Sequence, residues 1–293
     1  TFSGPGTVYV GATQAYTGNT FAFGGATIVP TASDVLPDTS VFALDEGNLI
    51  LNTGIHDTIG ALRGSGASYI GLGTNTVLRI NQTSDQSFYG MISAITNSTL
   101  VKAGNNVLLL RNNMTNFLGN VVIDRGTLRL VDQNGRMTLV PRFYATNGTL
   151  WLDSQPGADN ANQNDRVGSE ADVILNSSTV HLGGSRNNNT SENIGDLVFQ
   201  SGFNTIRLDA DTLGNNFAYL NPNVFLRSNY ASAFIRGELL GEPAGTNFYT
   251  RLAKDNARPA PTLTHSIGGS NTPSVGIVHW AYGQDDTKAA EGL

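Results

Sequence analysis

The sequence predicts an all-β chain wound as a parallel β-helix, with right-handed winding expected. Three observations carry the prediction: a composition unsuited to helices, short segments that alternate at period two, and an internal repeat. Of 293 residues, 34 are Gly and only 14% are charged, against roughly 25% charged in average soluble proteins. Gly, Thr and Asn, which abound here, are poor helix formers. The 39% of hydrophobic residues come in short bursts, and no stretch approaches the ~18 consecutive apolar residues of a membrane-spanning helix.

The alternation is clearest in Gly126-Thr127-Leu128-Arg129-Leu130, Gly148-Thr149-Leu150-Trp151-Leu152 and Ser178-Thr179-Val180-His181-Leu182. Each begins with a small turn residue and a polar residue, then places apolar side chains at every second position, which buries one face of a strand. Leu128 is therefore expected to point inward and Arg129 outward. Leu128→Asp is expected to cost several kcal/mol by burying an unpaired charge, and the same change at Arg129 to be mild. In a sandwich each strand has its own neighbours, whereas stacked coils give every strand the same surroundings and preserve one pattern. Turns of roughly 20 to 30 residues are expected by analogy with other solenoid periods. Gly and Asn belong at the corners, where positive φ is common.

The repeat sets the domain organisation. Tyr16-Thr17-Gly18-Asn19-Thr20 recurs as Phe117-Leu118-Gly119-Asn120-Val121. The same 101-residue offset (119 − 18) carries Gly25 onto Gly126, Phe42 onto Phe143, Gly47 onto Gly148 and Leu49-Ile50-Leu51 onto Leu150-Trp151-Leu152. Farther on, His56-Asp57-Thr58-Ile59-Gly60 is echoed by Ser191-Glu192-Asn193-Ile194-Gly195 at an offset of 135 (191 − 56), so residues have been inserted in the second copy. Residues 1–252 are expected to form the solenoid, from two divergent units of about 8–100 and 109–220 plus a final strand segment. The polar stretch Asp153 to Asp172 is expected to loop out. Residues 253–293, with Pro259, Pro261 and Pro273, are expected to be a linker or tail continuing into a longer parent chain.

Several motifs in order carry a family resemblance: Leu36-Pro37-Asp38-Thr39-Ser40, Ile59-Gly60-Ala61-Leu62 with Gly64-Ser65-Gly66, Leu100-Val101-Lys102-Ala103-Gly104, and Phe117-Leu118-Gly119-Asn120 leading to Gly126-Thr127-Leu128-Arg129-Leu130. Together with Phe234-Ile235-Arg236-Gly237 and Gly245-Thr246-Asn247, the chain resembles the autotransporter-associated β-strand repeat of large bacterial surface proteins. The resemblance implies a β-helical passenger or stalk displayed at the bacterial cell surface or outside the cell.

For chemistry the sequence offers little. A formal net charge of −6 and three scattered lysines, Lys102, Lys254 and Lys288, argue against nucleic-acid binding, which needs clustered positive charge. The absence of Cys excludes disulfides, thiolate metal sites and a Cys nucleophile. His56, His181, His265 and His279 are too dispersed for a local metal motif and are expected on surfaces or loops. Asp209 and Asp211 share a strand face by spacing, while Asp159, Asp165, Glu170 and Asp172 populate the insertion. All are expected to be solvated. Calcium held by carboxylates is compatible with an acidic extracellular protein, but the Gly-rich calcium-roll spacing is missing.

Sequons occur at Asn81, Asn97, Asn113, Asn147, Asn176, Asn188 and Asn189, as chance allows in an Asn- and Thr-rich chain. Trp151, Trp280, Tyr89 and Tyr230 are of the type that stacks on sugars, while Phe42 and Phe143, Tyr16 and Phe117 are expected to build ladders. No catalytic, cofactor-binding or metal-binding residue is assigned, and no cofactor is expected. The leading expectation is a non-enzymatic structural scaffold that associates with itself end to end as a filament, stalk or coat. Its alternatives are an adhesin passenger binding glycans or a host surface through residues 153–172, and a polysaccharide lyase or hydrolase with carboxylates on neighbouring turns.

Overall fold

The computed structural model describes residues 1–155, 164–211, 216–240, 248–252 and 280–287. Among them every element is a strand, none a helix, and all the strand pairings are parallel. One sheet runs the length of the molecule. Its twelve strands, in spatial and sequence order, are Phe2–Ser3, Thr20–Phe23, Val41–Asp45, Ala61–Gly64, Gln86–Phe88, Val107–Leu110, Gly126–Leu130, Gly148–Asp153, Thr179–Gly183, Phe203–Asp209, Ser232–Gly237 and Ala281–Asp285. With about 4.8 Å between neighbours, this long sheet spans roughly 50 Å.

Between strands of the long sheet the chain runs over two further sides, which carry regular strands in only some of the turns. The second side is a five-stranded sheet from Thr7–Val10 to Met91–Ala94, resumed later as a three-stranded sheet of Thr190–Ile194, Phe217–Pro222 and Tyr249–Leu252. The third is an eight-stranded sheet from His56–Ile59 to Phe225–Arg227. The product is a three-sided parallel β-helix. A turn takes 20 residues from Phe2 to Ala22 and 30 from Leu150 to Val180, which is the expected range.

Like residues stack inside. On the long sheet Leu108, Leu128, Leu150, Val180, Ile206 and Ile235 form one column. Leu78, Leu100, Val121, Phe143, Val173 and Leu197 form another on the third side. Leu128 is fully buried and Arg129 partly exposed, as their alternation requires. Each such apolar side chain contributes about 1.5–3 kcal/mol on burial. Corners use left-handed backbone as expected: Asn75, Asn97 and Asn147 have φ of 56°, 65° and 51°, and Gly104 and Gly126 have 72° and 63°. Gly64 serves space instead. Phe88 stacks beside it on the next turn, and a Cβ there would lie 2.8 Å from the ring and 2.6 Å from the Leu44 carbonyl oxygen.

Three expectations need correction. The 101-residue echo does not relate matching sides: Thr20–Phe23 lies in the long sheet and Asn120–Ile123 in the third side, while Asn48–Leu51 lies in the second side and Gly148–Asp153 in the long sheet. From Phe42 the long sheet needs five turns to reach Leu150, 108 residues on (150 − 42). The echo therefore falls short by about one side of the coil, and what recurs in sequence is a side.

The stretch 153–172 does not loop out as a whole. Asp153 ends a strand, Arg166, Val167 and Ala171 are buried, and Val167 bridges Met137 on the turn below; residues 156–163 lie outside the described residues. The sheet also outlasts residue 252, because Ala281–Asp285 pairs with Ser232–Gly237. The rest of the expected linker, 253–279 and 288–293, lies outside the described residues.

Candidate functional site

Outward positions of the long sheet are mixed in the first turns, with Phe21, Arg63, Ser87 and Leu109 among them, and become a connected array from Gly126–Leu130 onward. Because register is kept from turn to turn, Arg129, Trp151, His181, Arg207, Arg236 and Gln284 fall in one row. Arg129 lies over the Trp151 ring with its guanidinium carbon 3.9 Å from the centroid. Trp151 in turn stacks on His181, centroids 4.5 Å apart at 16°. Arg129 Nε also donates to Asp153 Oδ2 at 2.7 Å, and Asp153 is 1% exposed. Arg129→Asp would therefore leave a buried carboxylate facing a like charge, so the mild effect expected for that change does not hold.

Beside this row, where strands meet corners, runs a row of carboxylates. Asp209 Oδ2 accepts from His181 Nε2 at 2.8 Å, and its Oδ1 accepts from Arg207 Nε at 2.9 Å. Burial pushes the Asp209 carboxyl up, but the hydrogen bonds and charges of His181 and Arg207 outweigh it and hold it below its ordinary range. An ionised carboxylate only accepts, so His181 Nε2 carries the proton in this pair. Glu238, one turn on, accepts from the Ala210 amide at 2.9 Å. Burial, reinforced by the charges of Asp209 and Asp286, pushes its carboxyl up. Arg236 Nε donates to Asp286 Oδ2 at 3.0 Å.

Asp209, Glu238 and Asp286 each bring an oxygen within 4.8 Å of the others. Two carboxyls whose environments push their pKa values apart are the raw material of acid–base chemistry, and their place on neighbouring turns is what the lyase or hydrolase alternative requires. Both Asp209 oxygens are occupied, however, and the residue is 5% exposed. Arg207 and Arg236 already supply positive charge against these carboxylates that a cation would otherwise bring. The geometry describes a pinned polar wall.

Other sequence candidates disperse. Asp211 lies beyond the strand that ends at Asp209 and pairs with Arg186 at 3.5 Å, so the two do not share a face. Asp165 accepts from Asn193 Nδ2 at 2.8 Å, and Asp172 lies 3.6 Å from Arg142; Glu170 is exposed, and Asp159 lies outside the described residues. His56 is exposed, as expected. His181 is 7% exposed, against the expected surface position, because Trp151 covers its ring. His265 and His279 lie outside the described residues.

Among the sequons, Asn97, Asn147, Asn188 and Asn189 are exposed, while Asn81, Asn113 and Asn176 are half-buried. Tyr89 and Tyr230 are exposed, and Trp280 packs on Phe199. Phe42 and Phe143 are both fully buried but on different sides of the coil, while Phe117 is fully buried and Tyr16 is 41% exposed, so neither pair forms the expected ladder.

Buried charges that the sequence did not announce mark two further places. Lys102 occupies an inward column between Ile80 and Ile123, yet its Nζ donates to the Ala103, Gly104 and Arg125 carbonyls at 2.9 Å each. Burial lowers its pKa to about 8. Arg166, fully buried, donates from Nη1 to the Gly135 carbonyl at 2.7 Å, and its own amide donates to the Glu192 carboxylate at 2.8 Å. Arg166 lies where the second side lacks regular strands, between Met91–Ala94 and Thr190–Ile194, whereas Lys102 ends the third-side strand Thr99–Lys102 and meets the carbonyls of the corners that follow. Both satisfy backbone groups that no ladder pairs.

No family model, curated protein or solved structure matches the chain.

Proposed function

We propose that the chain is a structural β-helical scaffold, displayed outside the cell or on a bacterial cell surface, that associates with itself end to end as a filament, stalk or coat. The observation that carries this reading is the long sheet, twelve parallel strands in continuous register from Phe2 to Asp285. Such a stack transmits load and sets length through the repeated pairing of one turn on the next. The resemblance to autotransporter-associated repeats supports the location.

Any end of such a coil on which no further turn is stacked exposes unpaired strand edges, and an open edge recruits a partner. Sedimentation and electron microscopy across a concentration series test the reading. Rods lengthening in steps of about 50 Å, the span of one long sheet, are expected; monodisperse single rods at the highest concentration would overturn the assembly.

A further inference from the structure

A trough of about 590 Å³ opens on the outward face of the long sheet in its early turns, lined by Asp45, Arg63, Ser65, Asp85, Ser87 and Tyr89 among others. That volume lies within the ~300–1,000 Å³ of ordinary small-ligand pockets. Register explains the hollow. Arg63 stands in one outward row with Phe21, Ala43, Ser87 and Leu109, and the small side chains of Ala43 and Ser87 on either side of it leave the space.

Arg63 differs from the other arginines of this sheet. Arg129, Arg207 and Arg236 each hold a carboxylate. The half-buried Arg63 has no hydrogen bond and no ion pair among the described residues, and its guanidinium carbon lies 5.8 Å from the centre of the Phe21 ring instead. A ring face holds a cation through its charge and leaves the N–H donors free. Asp45, exposed, stands on the neighbouring strand two residues past Ala43, diagonal to Arg63 at about 7–8 Å between backbones. It too has no hydrogen-bond or ion-pair partner among the described residues. Phe21 draws the guanidinium straight across Ala43, off that diagonal, so two opposite charges stand apart in one hollow. The far wall is already committed: Arg111 donates from Nε to Ser87 Oγ at 3.2 Å and pairs with Asp132, and Asp85 accepts from the Val107 amide at 2.7 Å.

A free cation and a free anion side by side select a ligand by its charge pattern. A simple anion would meet Asp45 and Asp85, a simple cation would meet Arg63, and a neutral ligand would leave both charges to water. A carboxylate offers the two oxygens that match the guanidinium fork, and an ammonium answers Asp45. A free amino acid carries both groups on one carbon, too close together to reach across the diagonal, whereas one or two further residues at ~3.3–3.6 Å each span it. We propose that this trough binds a short zwitterionic peptide, with its terminal carboxylate on Arg63, its terminal ammonium on Asp45, and its amide groups met by the Ser87 and Tyr89 hydroxyls.

The binding needs a single chain, so it holds or fails apart from end-to-end assembly. Titration calorimetry of the full chain against glycyl-leucine, leucyl-glycine and triglycine tests it, each peptide also offered as its N-acetyl form and as its C-terminal amide. Saturable binding of at least one free peptide is expected, with both of its blocked forms tenfold or more weaker. In Arg63→Gln the free peptide should bind at least tenfold more weakly and no better than its amide; in Asp45→Asn it should weaken likewise and bind no better than its N-acetyl form. Both positions face outward, circular dichroism checks that each variant stays folded, and either variant alone keeps the test valid. No saturable binding of any free peptide, blocked forms that bind as well as the free one, or unchanged affinity in Arg63→Gln would each overturn the proposal.

Discussion

The first turns and the later ones solve the same problem with different means. From Phe2 to Leu150 successive strands of the long sheet are 20 to 24 residues apart, and the second side is a regular five-stranded sheet. After Leu150 the spacing rises to between 26 and 30, and reaches 48 at the last step from Ala233 to Ala281. The early region buries aliphatic columns and keeps its few buried charges, such as Asp57 and Lys102, on backbone groups. The later region holds linked networks: Arg166 with Glu192, and His181 with Asp209 and Arg207. The minimal turn is sufficient for the scaffold. The added residues of longer turns are where side chains begin to address one another, and the outward aromatic and charged rows belong to that region.

The comparison fails first if the columns are not what holds both regions. Leu128→Asp, in the column that crosses the boundary, is expected to have the largest effect, a loss of more than about 4 kcal/mol by urea denaturation. Arg129→Gln, which keeps a polar outward side chain but loses the Asp153 ion pair, should cost clearly less. Equal losses would mean that inward packing does not dominate.

Next come the buried cations, one from each region. Removing one partner of a buried charged network costs about 3–5 kcal/mol, so Arg166→Met, which leaves the Gly135 carbonyl without its donor, should approach that range. Lys102→Met fits an aliphatic column well and loses only ammonium–carbonyl bonds, so about 1–3 kcal/mol is expected. A larger loss at Lys102 than at Arg166 would erase the distinction drawn between the halves.

A further test is a pH dependence. Burial raises Glu192 from its ordinary 4.5 to about 8, so the folded chain holds a proton that the unfolded chain has released. The corresponding stability is fully present below pH 4.5 and declines as pH rises toward 8. Lys102, lowered from 10.5 to about 8, acts in a separate window, where stability recovers between pH 8 and 10.5. Urea midpoints should fall from pH 5 to pH 8, and Glu192→Gln should flatten that slope. A slope unchanged in the variant would remove Glu192 as its source.

The architecture was legible because alternation and corner residues are local: Leu128 in, Arg129 out, and left-handed Asn75, Asn97 and Asn147 follow from a few neighbours each. Register across turns is not local. Nothing between residues 151 and 286 shows that Trp151, His181, Arg207 and Arg236 share a row, because the spacing between turns is irregular there. Asp209 and Asp211 looked paired from a spacing of two, but the strand ends between them. The motif that contains Lys102 gives no sign of its buried role, since a lysine in an apolar column makes sense only once its carbonyl partners are in place. Phe203, Phe234 and Tyr282 stand at outward positions of their strands, and that their rings meet is visible only once the register is known.

That a stretch of sequence can reappear on a different side of the coil has a consequence for how such chains change length. Recombination between similar segments need not add or remove complete circuits. Any exchange that preserves the inward–outward alternation and a corner at each junction yields a windable chain, so the growth quantum of this architecture is a single strand with its corner. A gene encoding it can therefore drift in length by small steps while every intermediate product remains able to close its core.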